Sequence, residues 1–506
     1  MKRFVRKVFF LLTNILFCTL VKAATWIIGP TQIYTLPSQV RTLVQDGDTI
    51  LIDGGIYLND ATKWTKKDLV FIGLGIEPNR TVLQYSGDIP NGKGIFVFET
   101  PGTCDNPHFE NIVFDGAQVS DADGANGAGI RFQANNITVN NCKFMNCQNG
   151  ILEGNGSVTT SNVIITNSEF YNNGYQLQND PTYSGYEHHI YISASADTLM
   201  VQNCYFHHPR GQANSVKTRA QRSFILYNFI DEEATGYGSW ELNIAQGGMN
   251  VIMGNVFVQG PAGANHGIIG YDAATNAIEE FYFVNNTVVN QFIGNSKYFN
   301  IVPSSGITTF KVYNNVFASV PGASNTVYSS NIPSVIDSAA NAYCNDYSTV
   351  GFTDPAMLDY SITFAASGLI DQGVNAGTTG VGYPLNPIWM YEGYNAGMIP
   401  RLVLGGAIDI GAFEFPGGVG VSNAATETSS FIYPNPASGS FFVESKNLSY
   451  GNDYSLKIIS QDGRIVYYLP SFVSGLEVSP PALTSGIYIV QISSSEQFYF
   501  ERLVIQ

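Results

Sequence analysis

The chain of 506 residues is 44% hydrophobic, which is enough apolar material to fill a large core and excludes a disordered protein. Only 13% of the residues are charged and 51 are glycine, a composition that disfavours a helix-rich protein and is typical of many short strands joined by tight turns. The formal net charge of −16 disfavours nucleic acid as a partner, because an acidic surface repels polyanions.

Residues 1–23 have the three parts of a secretory signal peptide. A basic start is followed by an apolar run from Val8 to Val21 and by a small-residue cleavage site that ends at Ala23. The run has about 14 residues, fewer than the roughly 20 that cross a bilayer, so we predict cleavage and a mature chain without a transmembrane segment. Cleavage removes five positive charges and no acids, so the net charge of the mature chain becomes −21.

After cleavage five cysteines remain, an odd number without the Cys-x-x-Cys spacing of a zinc site. We therefore predict no metal site and expect most of these cysteines to be buried thiols. They are Cys104, Cys142, Cys147, Cys204 and Cys344.

Residues 24–415 carry a degenerate repeat, in which a short β-branched or aromatic run is followed by a small polar pair and a large apolar residue. Copies recur roughly every 24 to 36 residues without amphipathic helices between them, which predicts one turn of a β-solenoid per copy. A β-sandwich of hairpins is the alternative, but sandwiches rarely repeat one asymmetric motif so often. The copies begin at Phe109, Val139, Ile165, Val201, Leu226, Met253, Val284 and Tyr313.

An asparagine recurs at one position of the repeat, at Asn228, Asn255, Asn286 and Asn315. Asparagine tolerates a left-handed bend of the backbone between two strands. Its amide can also bond to the asparagine of the next turn, so we predict a ladder that satisfies otherwise buried polar groups.

Two segments at the ends of the repeat region resemble segments of the pectate-lyase-like right-handed parallel β-helix superfamily. Gly47–Tyr57 (GDTILIDGGIY) resembles the segment that opens many of these proteins, and Asp409–Glu414 (DIGAFE) resembles the motif that often closes them. The resemblance implies an all-β chain whose residues 24–415 form one right-handed parallel β-helix. It specifies the fold better than the activity.

Residues 416–430 are rich in glycine, serine and threonine and are predicted to be a flexible linker. Residues 431–506 contain Tyr433-Pro-Asn-Pro436, a predicted hairpin turn at Asp462-Gly-Arg464 and about six short strands. These features are similar to the C-terminal sorting domain of the type IX secretion system, a small Ig-like β-sandwich. The resemblance implies recognition by that machinery and a secreted or surface-attached protein; an ancillary carbohydrate-binding sandwich is the alternative.

Strand residues of a β-helix alternate between core and solvent, and equivalent residues of successive turns stack about 4.8 Å apart. Alignment of the strands that precede the repeat motif therefore predicts two outward rows, with His189 facing outward beside them. The first row is Arg131, Leu152, Tyr191, Lys217, Glu241 and Ile269, and the second is Gln133, Gly154, Ser193, Arg219, Asn243 and Tyr271.

These rows concentrate cations and imidazoles on one face of an acidic protein, which suits β-elimination of a uronate-containing polysaccharide. That reaction needs a cation on the carboxylate, a base for the C5 proton and a proton donor for the leaving oxygen. We predict Lys217 as the base, Arg219 as the group that holds the carboxylate, and Tyr191 or His189 as the proton donor. The predicted substrate-binding residues are Glu241, Asn243, His188, His266, Tyr271 and Arg131.

The turns around Lys217 resemble the catalytic turns of the alginate lyase and chondroitinase B family. The resemblance implies a lysine and an arginine of neighbouring turns as the acid–base pair, and acidic residues that hold calcium. Lys217 matches the lysine, but Asn243 stands at the arginine position, with Arg219 offset by one turn. Tyr191 and Ser193 stand where the acidic pair is expected, so calcium as a cofactor is left open.

Three functions remain open at this point. The leading hypothesis is a secreted lyase of an acidic polysaccharide, and the second is a non-catalytic surface β-helix that binds glycan or mediates adhesion. The third is a glycoside hydrolase, which needs two outward carboxylates about 5 to 9 Å apart, whereas the predicted face shows only Glu241. His207, His208 and the acidic run Asp231–Glu233 are expected to be exposed loop residues.

Overall fold

A computed structural model describes most of the chain. The chain divides into two compact units, with the boundary after Pro416. The predicted signal peptide up to residue 22, the linker from residue 417 and His266 lie outside the described residues. The described residues are 23–154, 161–175, 185–265, 267–303, 306–329, 331, 333, 336–394, 396–416, 432–443, 454–460, 465–472, 475, 477–481, 483–493 and 498–506.

The first unit is built from three long parallel sheets, here called A, B and C. Each coil of the chain adds one strand to A, one to B and one to C, and each strand pairs in parallel with the equivalent strand of the next coil. Phe144 of sheet B, for example, lies opposite Phe170 of the following coil. The predicted parallel β-helix is therefore confirmed.

Short strands supply all three sheets. Sheet A contains Thr25–Ile28, Thr49–Ile52, Val70–Gly73, His108–Glu110, Ile137–Asn140, Ser161–Thr166, Ala196–Gln202, Arg222–Leu226, Met249–Met253, Glu280–Val284, Thr309–Tyr313 and Asp337–Ala339. Sheet B contains Gly55–Leu58, Thr81–Gln84, Ile112–Asp115, Lys143–Met145, Glu169–Tyr171, Tyr205–His207, Phe229–Asp231, Val256–Gln259, Thr287–Asn290, Val316–Ser319 and Ala342–Cys344. Sheet C contains Thr62–Trp64, Gly94–Phe98, Ala128–Phe132, Asn149–Glu153, His188–Ile192, Asn214–Thr218, Leu242–Ile244, Gly267–Tyr271, Asn295–Ile301 and Ser324–Tyr328.

Helical structure in the described residues is confined to short 3₁₀ turns. They are Pro37–Val40, Asp121–Asp123, Tyr347–Thr349 and Pro355–Met357. In this part of the chain, no helix has the length and apolar character needed to cross a bilayer.

Aromatic side chains stack inside the coils because equivalent residues of successive strands lie in register. Phe114, Phe144, Phe170 and Phe206 form one such stack, with ring centroids 5.0, 4.9 and 4.6 Å apart and rings within 8° of parallel. All four are fully buried, and burial of each side chain stabilises the fold by roughly 1.5–3 kcal/mol. Sequence-distant coils are joined in this way into one continuous core.

The predicted asparagine ladder is present at the turn between sheets A and B. The Oδ1 atom of Asn255 accepts hydrogen bonds from the backbone N–H and the side-chain amide of Asn228, at 2.9 and 3.0 Å. The same pattern links Asn255 to Asn286 and Asn286 to Asn315. The left-handed bend expected at the ladder asparagines is wrong: it lies one residue earlier, at Tyr227 with φ 55°, and likewise at Gly254, Asn285 and Asn314.

The five cysteines are free thiols, as expected from their number and spacing. Four are buried, whereas Cys344 is partly exposed. Burial raises the pKa of Cys142, Cys147 and Cys204 to about 12, so these thiols stay protonated and inert at ordinary pH.

The segment after the last coil folds back over the outer faces of sheets A and B. Its strands are Phe352–Asp354 with Asp359–Ile362, and Trp389–Gly393 with Gly397–Pro400, each pair antiparallel. Outward residues of sheet B, such as Val256, form a second apolar core with Tyr360 and Ile410 of this segment. Outward residues of sheet A, such as Val251, pack against Leu385. Among the described residues no such apolar core covers sheet C.

The predicted closing motif anchors this segment. Arg401 is buried, and its Nε donates a hydrogen bond to Glu414 Oε2 at 2.9 Å. Its other guanidinium nitrogens donate to the carbonyls of Gly411 and Asp409. The Asn285 side chain of a late coil donates to the same Asp409 carbonyl at 2.9 Å, so the motif is bonded directly to the helix.

The second unit is a small all-β domain with antiparallel pairing. Its strands are Ile432–Tyr433, Phe441–Val443, Glu477–Val478, Tyr454–Ser460, Ile465–Phe472, Gly486–Ser493 and Phe498–Ile505. It has its own apolar core, in which Phe441, Leu456, Val490 and Leu503 are fully buried. This arrangement agrees with the predicted small β-sandwich.

Asn255→Ala is expected to lower the free energy of unfolding by about 2 kcal/mol, because it leaves buried backbone groups of the neighbouring coils without partners. The groups are the N–H of Asn228 and the carbonyl of Ile225. Urea unfolding followed by circular dichroism measures the loss. Asn162→Ala removes an exposed side-chain amide that donates to Asn136 Oδ1 of the neighbouring coil, and is the matched control. Equal losses in both variants would contradict a buried ladder.

Candidate functional site

One row of side chains crosses five successive strands on the outer face of sheet C. Backbone pairing sets Arg131 opposite Leu152, Leu152 opposite Tyr191, and Tyr191 opposite Lys217. Lys217 in turn lies opposite Asn243. We call these five residues the sheet C row. Paired strands lie about 4.8 Å apart, so the row brings together residues from five coils.

Two cations share the ring of Tyr191. Lys217 Nζ lies 5.7 Å from the ring centre and Arg219 Cζ lies 5.6 Å from it. Burial lowers the pKa of Lys217 below the 10.5 of an exposed lysine, and the charge of Arg219 lowers it further, while Asp272 opposes both. Lys217 is therefore easier to deprotonate than an ordinary surface lysine.

Neither Lys217 nor Arg219 forms an ion pair with any carboxylate of the described residues. The nearby carboxylate of Asp272 instead accepts a hydrogen bond of 2.8 Å from the Asn243 side chain. Arg131 also faces outward in the row, and its Nε is buried without a hydrogen-bond partner. Lys217 and Arg219 are thus cations without an ion pair among the described residues, whereas Lys63, further along sheet C, is paired with Glu99.

His188 lies behind the row and does not line it. Only 1% of it is exposed, and its ring stacks on Tyr191 with centroids 5.7 Å apart and an interplanar angle of 17°. Nδ1 accepts a hydrogen bond from the Asn214 backbone at 3.2 Å. Burial, and then the charge of Lys217, lower its pKa well below 6.5, so the imidazole is neutral. The prediction that His188 contacts substrate is wrong; it supports the Tyr191 ring.

His189 faces the interior, so its predicted role as an outward proton donor is also wrong. Its ring packs near Phe170 and Phe206, and Nδ1 lies 2.9 Å from the Asn173 side-chain amide. The cause is a break in the alternation near the start of the strand His188–Ile192. There two consecutive residues, His189 and Ile190, face the core, whereas the prediction assumed strict alternation.

The same inward position holds Glu241, which was predicted to line the outer row. The prediction set Glu241 opposite Lys217, but Lys217 pairs with Asn243, two residues later in the chain. Glu241 is fully buried, and neither carboxylate oxygen has a hydrogen-bond partner among the described residues. Burial and the neighbouring Glu232 raise its pKa well above 4.5. Glu232 and Asp231, predicted to be exposed, are buried as well.

Tyr271 is a further correction, since it points into the core. The predicted register was wrong by one residue in this strand, and a shift of one residue exchanges the inward and outward faces. The ladder sets Tyr271 opposite Ile244, and its hydroxyl donates to Glu279 Oε2 at 2.7 Å. Asn243 was assigned to the Arg219 row as a substrate-binding residue; it instead lies opposite Lys217 and is only 2% exposed. His266 lies outside the described residues.

Trp240 is a residue that sequence reasoning missed. It is half-buried on the outer face of sheet C, two residues before the strand Leu242–Ile244. The signal in the sequence is a pair of glycines, Gly267 and Gly270, in the next strand. The two glycines point to Trp240 only once the register between the two strands is known.

The residues of this face do not fit a calcium site. Tyr191, on the strand before Lys217, and Ser193, just after that strand, stand where the resemblance implies an acidic pair. Within the described ranges no group of three or more His, Cys, Asp or Glu side chains is arranged to hold a metal ion.

A second polar cluster lies on sheet B, on a different wall of the helix. His207 Nε2 lies 3.0 Å from Glu169 Oε1 and Nδ1 lies 2.7 Å from Glu233 Oε1, while Lys143 Nζ lies 2.8 Å from Glu169. The hydroxyl of Tyr394 also donates to Glu169. Burial favours the neutral acid, but these donors outweigh it and lower the pKa of Glu169 to about 2. His207 is thus a strand residue in a closed network, not loop surface.

Residues 431–506 match the model of the secretion system C-terminal sorting domain. This domain directs type IX secretion, so the protein is secreted or attached to the cell surface. A search of curated protein sequences finds no match to the chain.

Two solved structures are similar to the β-helix. Pectate lyase Pel9A is 16% identical with a TM-score of 0.45, over 78% of this chain and 96% of that one. The PL6 family alginate lyase AlyGC is 12% identical with a TM-score of 0.28, over 64% of this chain and 40% of that one. Neither likeness is close enough to transfer an activity or a residue role to this chain.

Glu241→Gln is expected to raise the thermal unfolding midpoint at about pH 8 and to change it little at about pH 4. The folded-state pKa of Glu241 is raised, so its contribution to stability is complete below 4.5 and is lost as the pH rises through the folded-state value. Glutamine cannot ionise, and each unit of pKa difference is worth about 1.4 kcal/mol.

Melting curves across this pH range measure the difference, with the exposed Glu77→Gln as control. A midpoint for Glu241→Gln that falls below the native one in alkaline buffer contradicts an interior, uncompensated carboxylate.

Proposed function

We propose that the protein is a secreted polysaccharide lyase that cleaves an acidic, uronate-containing glycan by β-elimination. The observation that carries the proposal is Lys217, half-buried in an outward row, with a lowered pKa and no ion-pair partner among the described residues. A neutral amine on an accessible face is a Brønsted base, and general bases work best when their pKa lies near the working pH. The sorting domain supports action outside the cell.

The first requirement of the reaction is to neutralise the substrate carboxylate. Arg219 is suited to this role, because a guanidinium binds a carboxylate through two parallel hydrogen bonds. Its position over the Tyr191 ring, 5.6 Å from the ring centre, holds it next to Lys217. Neutralisation makes the C5 proton of the uronate acidic enough to be removed.

The elimination step then uses Lys217 and Tyr191. The Lys217 amine takes the C5 proton, the electron pair of that C–H bond forms the C4–C5 double bond, and the bond from C4 to the glycosidic oxygen breaks. The Tyr191 hydroxyl is the candidate donor of the proton that this leaving oxygen takes up. His188 stacks on the Tyr191 ring and so restricts its orientation.

The competing functions have less support from the geometry. A hydrolase needs two carboxylates flanking the scissile bond. Glu241, the predicted outward carboxylate, is buried in the core, and Asp272 is engaged by Asn243. A non-catalytic glycan-binding or adhesion protein would use the same cations and the same face, so turnover is what separates it from a lyase.

The purified protein is expected to release unsaturated uronate products, seen as ultraviolet absorbance, from at least one of alginate, pectate and the glycosaminoglycans. Lys217→Ala should reduce kcat by about 10²- to 10⁴-fold, since it removes the general base. Lys67→Ala removes an exposed lysine on a turn and should leave the rate unchanged. Reducing ends without absorbance would indicate a hydrolase, and binding without either product would indicate adhesion.

The pH profile of kcat/KM should report Lys217 directly. The rate should rise with pH as the amine loses its proton, with an inflection below 10.5. Asp272→Asn removes the charge that raises this pKa, so the inflection should move to lower pH by about one unit. Arg219→Gln should move it the other way. Shifts in the same direction for both variants would exclude Lys217 as the titrating group.

A further inference from the structure

The indole of Trp240 lies against a strand that presents glycine where it would otherwise carry side chains. A Cβ atom at Gly267 would come within 2.5 Å of the indole Cζ3, and one at Gly270 within 3.1 Å of Cδ2. Neither glycine has a positive φ, so the backbone conformation does not require glycine at these positions. What both glycines provide is room for the ring on the outer face of sheet C.

Protection of the backbone does not explain the indole. The strand beneath it is paired on both sides, with Ile269 opposite Leu242 and Gly270 opposite Asn300, so its polar groups need no cover. Trp240 is also only half-buried. A large aromatic ring that lies at the surface over two glycines can bind a ligand with its exposed side.

The ring adjoins the candidate catalytic residues. Asn243 follows Trp240 by three residues and pairs with Lys217, and its Nδ2 lies 2.8 Å from the Cβ position of Gly270. The indole thus covers the strand after Asn243, while Lys217 occupies the strand before it. Strand spacing is about 4.8 Å, so a chain of sugars lying along the helix axis meets Lys217 and then the indole.

We propose that Trp240 is a sugar-binding platform that stacks on the apolar C–H face of the pyranose next to the uronate at Lys217. The inference rests on the proposed function for the position of that uronate. It adds that the polysaccharide runs along the helix axis, across the coils of sheet C. Aromatic side chains bind such faces because they combine a large apolar area with few rotatable bonds.

The test uses calorimetric titration of the full chain carrying Lys217→Ala, which stops turnover, with oligosaccharides of the polymer that the native protein cleaves. Adding Trp240→Ala should weaken binding by about tenfold, and Trp240→Phe should retain most of the affinity. Phe364→Ala removes an exposed aromatic ring of the segment that follows the last coil, and this variant should bind normally. Unchanged affinity for Trp240→Ala, or a lower melting midpoint with unchanged affinity, overturns the platform.

If the native protein cleaves nothing, the proposed function fails but the platform is still tested. Titration of the native chain with intact alginate, pectate and glycosaminoglycans then replaces the oligosaccharides. Binding that Trp240→Ala weakens and Phe364→Ala does not supports the platform on a non-catalytic surface. Binding that Trp240→Ala leaves intact, or no binding to any polymer, overturns it.

Discussion

Hydrogen bonding between equivalent strands of successive coils sets the spacing on which the fold and the site both depend. Each coil advances by one strand separation, about 4.8 Å, so Tyr191, Lys217 and Asn243 become neighbours although they come from three coils. The same register stacks the phenylalanine rings in the core and the asparagine amides at the turn. A shift of one residue in any coil would disturb all three at once.

The state of the cations distinguishes the two polar clusters of the helix. On sheet B, Lys143 and His207 are bonded to Glu169, and the terminal segment adds Tyr394 to the network. That cluster neutralises itself and joins the segment to the coils. On sheet C, Lys217 and Arg219 are next to an aromatic ring and have no such partner among the described residues. The cations at Lys217 and Arg219 can therefore pair with an anionic ligand, whereas those of the sheet B cluster are already paired with Glu169.

The fold was predictable because each coil repeats the same local pattern, and the pattern needs no exact register to be recognised. The outward positions of Tyr191, Lys217 and Arg219 followed from strand alternation. Alternation failed at His189 and at Glu241, which occupies the equivalent position of a later coil, because two consecutive residues of the strand are buried there. The position of Trp240 could not be predicted for a related reason: only the register between strands shows that its ring lies over Gly267 and Gly270.

A lysine that acts as a base must be partly removed from water and must also lack a bound carboxylate, because an ion pair stabilises its charged form. Lys143 fails the second condition, since Glu169 holds it in an ion pair. Asp272 is near enough to influence Lys217, and its carboxylate accepts the Asn243 amide. The Asn243 amide thus bonds to the Asp272 carboxylate without adding charge. Lys217 forms no ion pair among the described residues, and the charge of Arg219 lowers its pKa.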